Sequence, residues 1–147
     1  MSLAEAVPAP KPIVRCLRIP DDGPPYLEGS KCAVCEEVFV GERPPTGGKR
    51  VCARCGGIET LTPVRLADTG TLYNYTIVHR SFPGTAVPFI SAIVKLDGGG
   101  VLRGNLIDVE PTPEALAFDM PVRVVFRDAG RQDKDGNAYL SYFFTPA

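Results

Sequence analysis

The sequence predicts a mostly β chain, with a small four-cysteine ribbon followed by a five-stranded OB-like barrel carrying one short helix. Two observations lead there. Cys32, Cys35, Cys52 and Cys55 fall as two CxxC pairs in the stretch KCAVCEEVFVGERPPTGGKRVCARCGG. From Leu61 onward, short runs rich in β-branched and aromatic residues alternate with turns that contain Gly or Pro. The length of 147 residues suits one modest domain, or a small module attached to a core domain.

Residues 1–22 are expected to be a flexible tail, because Pro8, Pro10 and Pro12 fall in a stretch without periodic pattern. Within it, Cys16 in IVRCLRI reads as a small apolar packing residue. Residues 23–60 form the expected ribbon, and GPPYLEGS at its start suggests one short helical turn.

The cysteine spacing is C-x2-C-x16-C-x2-C, inside the range of a zinc ribbon. Each CxxC turn brings two sulfurs to one side of a tight knuckle, and two knuckles complete the tetrahedron that zinc prefers. Between them, EEVFVGERPPTGGKRV has an apolar patch and then a Pro/Gly-rich turn, as a small β-ribbon would. Gly56 follows the second knuckle and suits the left-handed conformation needed there, whereas Glu36 holds the equivalent place after the first. A redox dithiol would need one CxxC beside a βαβ pattern, which is missing. Disulfides conflict with a reducing compartment. The expected cofactor is one structural Zn2+ per chain on Cys32, Cys35, Cys52 and Cys55; four thiolates leave no open position for water.

Residues 61–147 form the expected barrel domain. TLYNYTIVH (71–79) follows a turn at Asp68-Thr69-Gly70, and PFISAIVKL (88–96) turns Ile90, Ala92, Val94 and Leu96 to one face. Asp97-Gly98-Gly99-Gly100 then makes VLRGNLI (101–107) the second arm of a hairpin. PTPEALA (111–117) predicts a short helix, with Thr112 as cap and Pro113 at its first position. VRVVFRD (122–128), with Val122, Val124 and Phe126 inward, and AYLSYFF (138–144) complete five strands. This order matches a five-stranded OB barrel, although a small sandwich or another barrel shares the spacing.

The net charge of −1 argues against strong non-specific nucleic-acid binding. No apolar run approaches the ~20 residues of a membrane helix. MSLAEAVPAPKP lacks the basic start and apolar stretch of a signal peptide, so the expected location is the cytoplasm. Catalysis by this chain alone is poorly supported. Four of the five cysteines are committed to metal, and His79 is the single histidine.

The segments PYLEGSKCAVC (25–35), VCARCG (51–56), GTLYNYTIVHR (70–80), PFISAIVKLDGG (88–99) and DMPVRVVF (119–126) carry a resemblance. Together they resemble the rubredoxin-like zinc ribbon plus acyl-CoA-associated OB-fold family, over roughly residues 24–145. That resemblance implies a non-catalytic accessory subunit of a thiolase-superfamily enzyme, which supplies the chemistry on acyl-CoA thioesters in a hetero-oligomer. Many relatives have a longer helix before the ribbon, whereas here only PPYLEGS precedes Cys32. A partner of the acyl-CoA hydratase or aldolase type is the alternative.

Under this reading, Arg43, Lys49, Arg50 and Arg54 are candidates for the CoA phosphates; the plainer reading, which carries the greater weight, is that they offset the charge of the zinc thiolates. Phe82 and Phe89, in the apolar loop RSFPGTAVPFI, and Phe39 on the ribbon are candidate partner contacts. A single-stranded nucleic-acid-binding OB protein is the further alternative. The outward hairpin positions hold one aromatic (Phe89) and two basic residues (Lys95 and Arg103), a poor stacking platform.

Overall fold

The computed structural model describes residues 9–41 and 48–147. The five strands expected after the ribbon are found at β6 (Thr69–Val78), β7 (Phe89–Leu96), β8 (Val101–Leu106), β9 (Pro121–Gln132) and β10 (Ala138–Pro146). β6 pairs antiparallel with β7, and β7 with β8. β8 meets β10 in parallel at Leu106 and Phe144, β10 runs antiparallel to β9, and β9 returns to β6. The ring therefore closes, removing the edges that an open sheet of this size would leave unpaired.

Period-two alternation produces the barrel core. Ile90, Ala92, Val94 and Leu96 of β7 are all buried, as are Leu72, Val122, Val124 and Phe144 from the other strands, while Lys95 stays exposed. Phe126, expected inward, is only half-buried and packs against the margin of this cluster. The helix expected over 111–117 is a single 3-10 turn, Pro113–Ala115. Thr112 makes no side-chain cap, and Leu116 already returns to extended backbone, so its side chain can enter the core.

The N-terminal part differs more from expectation. Residues 23–30 are not a helical turn: Tyr26–Cys32 form β3, the centre of a small sheet. β3 pairs antiparallel with β4 (Val38–Val40) on one side and β5 (Leu61–Arg65) on the other. Gly29 explains the choice of residue. A Cβ there would run into the Phe39 carbonyl oxygen and the Leu66 side chain, so glycine permits a close crossing within the sheet. β5, assigned from sequence to the barrel domain, is thus a ribbon strand by pairing.

Of the tail expected over 1–22, residues 1–8 lie outside the described residues. The remainder carries two short strands. β1 (Lys11–Pro12) runs parallel to the start of β10, and Ile13 N–H donates to Leu140 O at 3.0 Å. β2 (Leu17–Arg18) pairs with β3 at Leu27 and Tyr26. Proline is tolerated in β1 because an edge strand spends few backbone N–H groups.

Ribbon and barrel share one core. Leu17, Leu27 and Leu66 belong to the same buried cluster as the barrel residues. Val38 of β4 also sits against the β7–β8 turn, where a Cβ on Gly99 would come within 2.8 Å of the Val38 Cβ. Gly99 adopts φ of 115°, a conformation that L residues rarely reach. The four-cysteine end is therefore mounted on the barrel through packed apolar surface.

Candidate metal centre and docking surface

Cys32 ends β3 and Cys35 follows one knuckle later, while Cys52 and Cys55 belong to the second knuckle. All four sulfurs lie within 4.8 Å of one another. Cys32 Sγ is 3.7 Å from Cys55 Sγ, and Cys35 Sγ is 3.6 Å from Cys52 Sγ. Four thiolates at ~2.3 Å from one tetrahedral ion would stand about 3.8 Å apart, so the donor set fits a metal ion.

The two knuckles repeat the same local bonds. Glu36 N–H donates to Cys32 O at 3.0 Å, and Gly56 N–H to Cys52 O at 2.9 Å. The sulfurs also accept from the backbone at different places: Val34 N–H points to Cys32 Sγ, the first sulfur of its knuckle, and Gly57 N–H to Cys55 Sγ, the second of its own, both at 3.4 Å. Glu36 and Gly56 hold φ of 64° and 77° in turn. Glu36 therefore takes the left-handed conformation that the second knuckle gives to glycine.

Backbone donors shape the charge of this cluster. The Cys35 N–H and the Thr60 hydroxyl, 3.2 Å away, bring the Cys32 thiol down to about 6. The Cys52 thiol is also lowered, chiefly by the Cys55 N–H. Cys35 is pushed up to about 12: the Glu37 N–H favours its thiolate, but burial and the adjoining sulfurs outweigh that bond. Thiolates packed this closely resist ionising together unless a cation lies among them.

The basic residues around the centre are placed unevenly. Arg43 lies outside the described residues. Lys49, Arg50 and Arg54 are exposed, and Arg54 is paired with Glu37 of the other knuckle at 2.8 Å. The Arg50 backbone N–H donates to Glu59 Oε1 at 2.8 Å. Neither the Glu37 pairing nor the Thr60 bond was visible in the sequence, because both join residues far apart in the chain.

The aromatic candidates separate into two environments. Phe82, on the loop between β6 and β7, is 85% exposed, and Val87 of the same loop is also exposed. Phe89 at the start of β7 and Phe39 on β4 are half-buried. His79, at the loop's other end, is exposed. Sequence reasoning overlooked Val34 and Ile58, exposed apolar residues at the four-cysteine tip.

Residues 63–127 match the family described as ChsH2, C-terminal OB-fold domain. A DUF35 domain-containing scaffold protein of Pyrococcus furiosus is 30% identical, over 82% of this chain and 82% of that protein. The chain belongs to the DUF35 family. A probable enoyl-CoA hydratase alpha subunit of Thermomonospora curvata is 32% identical to this DUF35 protein over 63% of the chain, but only 26% of the longer relative is covered. Among solved structures, an Ltp2-ChsH2(DUF35) aldolase superposes with a TM-score of 0.60 at 27% identity, covering 82% of this chain and 84% of that one. Among the described residues, no helix is long and apolar enough to cross a membrane.

Proposed function

We propose that this DUF35 protein is a non-catalytic accessory subunit of a complex acting on acyl-CoA thioesters, with a thiolase-like enzyme as its catalytic partner. The observation that carries the proposal is Phe82, an aromatic side chain 85% exposed on a loop between two strands of a closed barrel. With Val87, exposed on the same loop, it presents apolar surface of the kind that marks a site of protein contact. The metal centre fits this role because Cys32, Cys35, Cys52 and Cys55 form a closed set that holds the ribbon's shape. The ion is proposed to be one Zn2+ per chain, the usual choice of four thiolates, in a cytoplasmic protein whose thiols stay reduced.

Lys49 and Arg50, with Arg43, are the residues proposed to meet the phosphates of CoA near the junction. Arg54 contributes less, since Glu37 already holds its guanidinium. A second reading gives the catalytic partner hydratase or aldolase chemistry. It is favoured by two relatives, one named as a hydratase alpha subunit and the other as an aldolase containing a DUF35 protein.

Co-expression with candidate catalytic subunits of the thiolase, hydratase and aldolase types tests both readings. A hetero-oligomer with one class, seen by size exclusion with light scattering, is the expected result, together with no thioester turnover by the isolated chain. A chain that stays alone with every class, or that turns over acyl-CoA by itself, overturns the proposal.

A further inference from the structure

The four sulfurs are not equivalent. Cys32 and Cys52 are fully buried, Cys35 is half-buried, and Cys55 is exposed. Cys32 Sγ receives the Val34 N–H and the Thr60 hydroxyl, and Cys52 takes backbone N–H groups from Arg54 and Cys55. Cys55 Sγ accepts the Gly57 N–H at 3.4 Å. Cys35 likewise takes one N–H, from Glu37, so what sets Cys55 apart from all three neighbours is its open access to solvent, with fewer donors shielding it than Cys32 and Cys52 have.

The two knuckles also differ in what anchors them. Cys32 is the last residue of β3, a strand paired on both sides, and its N–H donates to Glu37 O at 2.9 Å. The second knuckle is tied mainly to its own flanks, by the Val51–Ile58 bridge, Cys52 N–H to Gly57 O at 2.9 Å and Glu59 N–H to Arg50 O at 2.7 Å. Ala53, Arg54, Cys55 and Gly56 are all exposed. Across to the first knuckle run the Arg54–Glu37 pair, the Ala33 N–H to Thr60 O bond at 2.9 Å and the Thr60 hydroxyl to Cys32 Sγ bond at 3.2 Å. A metal on the four sulfurs would add a direct tie between the knuckles.

We infer that Cys55 is a modification site, the position at which soft electrophiles and peroxides attack the loaded centre and free the second knuckle. The inference rests on the metal centre proposed above. With hydrogen peroxide, the Cys55 sulfur attacks one peroxide oxygen, an S–O bond forms and the O–O bond breaks. Sulfur is oxidised to the sulfenic acid, peroxide is reduced, and the departing hydroxide takes up a proton as water. With iodoacetamide, a C–S bond forms as the C–I bond breaks and iodide leaves. Either product is a poorer ligand than a thiolate. A metal held by the four sulfurs would then be lost, while the β3–β4–β5 sheet and the barrel stay folded.

The test uses the full chain as purified, with its metal content measured first. Limiting iodoacetamide is added, release is followed with a chromophoric chelator, and samples are quenched, unfolded and capped with N-ethylmaleimide. Peptide mass mapping then reads which sulfur reacted first. The expected first ligand labelled is Cys55, with metal released in step with that label; labelling of Cys16, which is no ligand, is counted separately. Cys55→His, which keeps a donor atom, is expected to release metal at least about tenfold more slowly, an imidazole being a weaker nucleophile here than a thiolate. Label that begins at Cys35, or spreads evenly over the four ligands of a metal-loaded chain, overturns the inference whether or not the variant folds. A chain purified without metal overturns the reading of the centre instead.

Discussion

Lys11 Nζ lies 2.6 Å from Asp133 Oδ2 and fastens the N-terminal arm to the β9–β10 turn. Asp133 is itself held by Asn137 through both its side-chain and backbone N–H groups and by the Asp135 N–H. Lys11 first, then these donors, keep the carboxyl well below the usual carboxylate range, and Asp133 in return raises Lys11. A depressed carboxyl stabilises the fold above its unfolded value near ~3.9 and loses that contribution as pH falls. The raised lysine contributes below its unfolded value near ~10.4 and loses it as pH rises further.

Lys11→Ala should therefore release β1 without unfolding the barrel. The Ile13 amide, bonded to Leu140 O, is expected to exchange faster with solvent between those two pH values, while the Val94 and Leu72 amides keep their protection. The difference between wild type and variant should shrink below about pH 4, where the unfolded carboxyl also protonates. Equal exchange at Ile13 in the two proteins at neutral pH would show that the ion pair does not hold the arm.

Gly104 of β8 faces two rings. A Cβ there would approach Tyr142 Cε2 to 2.7 Å and Phe144 Cε2 to 3.0 Å, and Phe144 is wholly buried. Tyr142 has little room to withdraw because its hydroxyl donates to the Arg103 carbonyl oxygen. Gly104→Val should cost about 1–3 kcal/mol by overpacking, measured as a lower denaturant midpoint at unchanged slope. Gly136, with nothing near its Cβ position but φ of 83°, serves as the contrast: Gly136→Asn should be nearly neutral, since asparagine tolerates that conformation.

The barrel was more legible in the sequence than the ribbon's surroundings. The alternation of Ile90, Ala92, Val94 and Leu96 has a period that only a strand with one buried face satisfies, and those four residues are buried together. The CxxC pairs were equally legible, because thiolate spacing is a local property of the knuckle. β3 was missed because GPPYLEGS was read by itself, as one short helical turn, while the strand arises from pairing with β4 and β5 and from a crossing only glycine allows. β1 and β2 were missed for the same reason. Two-residue strands carry no periodic signal, and their partners β10 and β3 lie elsewhere in the chain.

The knuckles make opposite predictions at their matching left-handed positions. Gly56→Val should cost about 1–2 kcal/mol of ribbon stability, since a side chain at φ of 77° meets its own backbone. Glu36→Gly should keep the metal and the fold, because it removes a side chain already held at φ of 64°. Metal retention during a chelator titration separates the two: Gly56→Val is expected to lose metal at lower chelator concentration than wild type, and Glu36→Gly is not.

Partner binding offers a separation that stability measurements cannot. Phe82 touches so little of its own fold, at 85% exposure, that Phe82→Ala should leave the denaturant midpoint of the isolated chain unchanged. Aromatic anchors near an interface centre commonly cost about 2 kcal/mol or more when truncated, which is roughly a thirtyfold loss of affinity for the catalytic subunit. Phe39 and Phe89 are half-buried in this chain, so truncating them should lower stability as well as assembly. Charge reversal at Lys49 should behave differently again. It sits exposed near the four-cysteine tip, and a rim charge that meets a phosphate acts on substrate and not on the apolar contact. The assembled complex should then show a raised KM for its thioester with its mass by light scattering unchanged. Unaltered affinity after Phe82→Ala would remove the loop from the interface, and an unaltered KM after reversal at Lys49 would return the basic residues to balancing the charge of the thiolates.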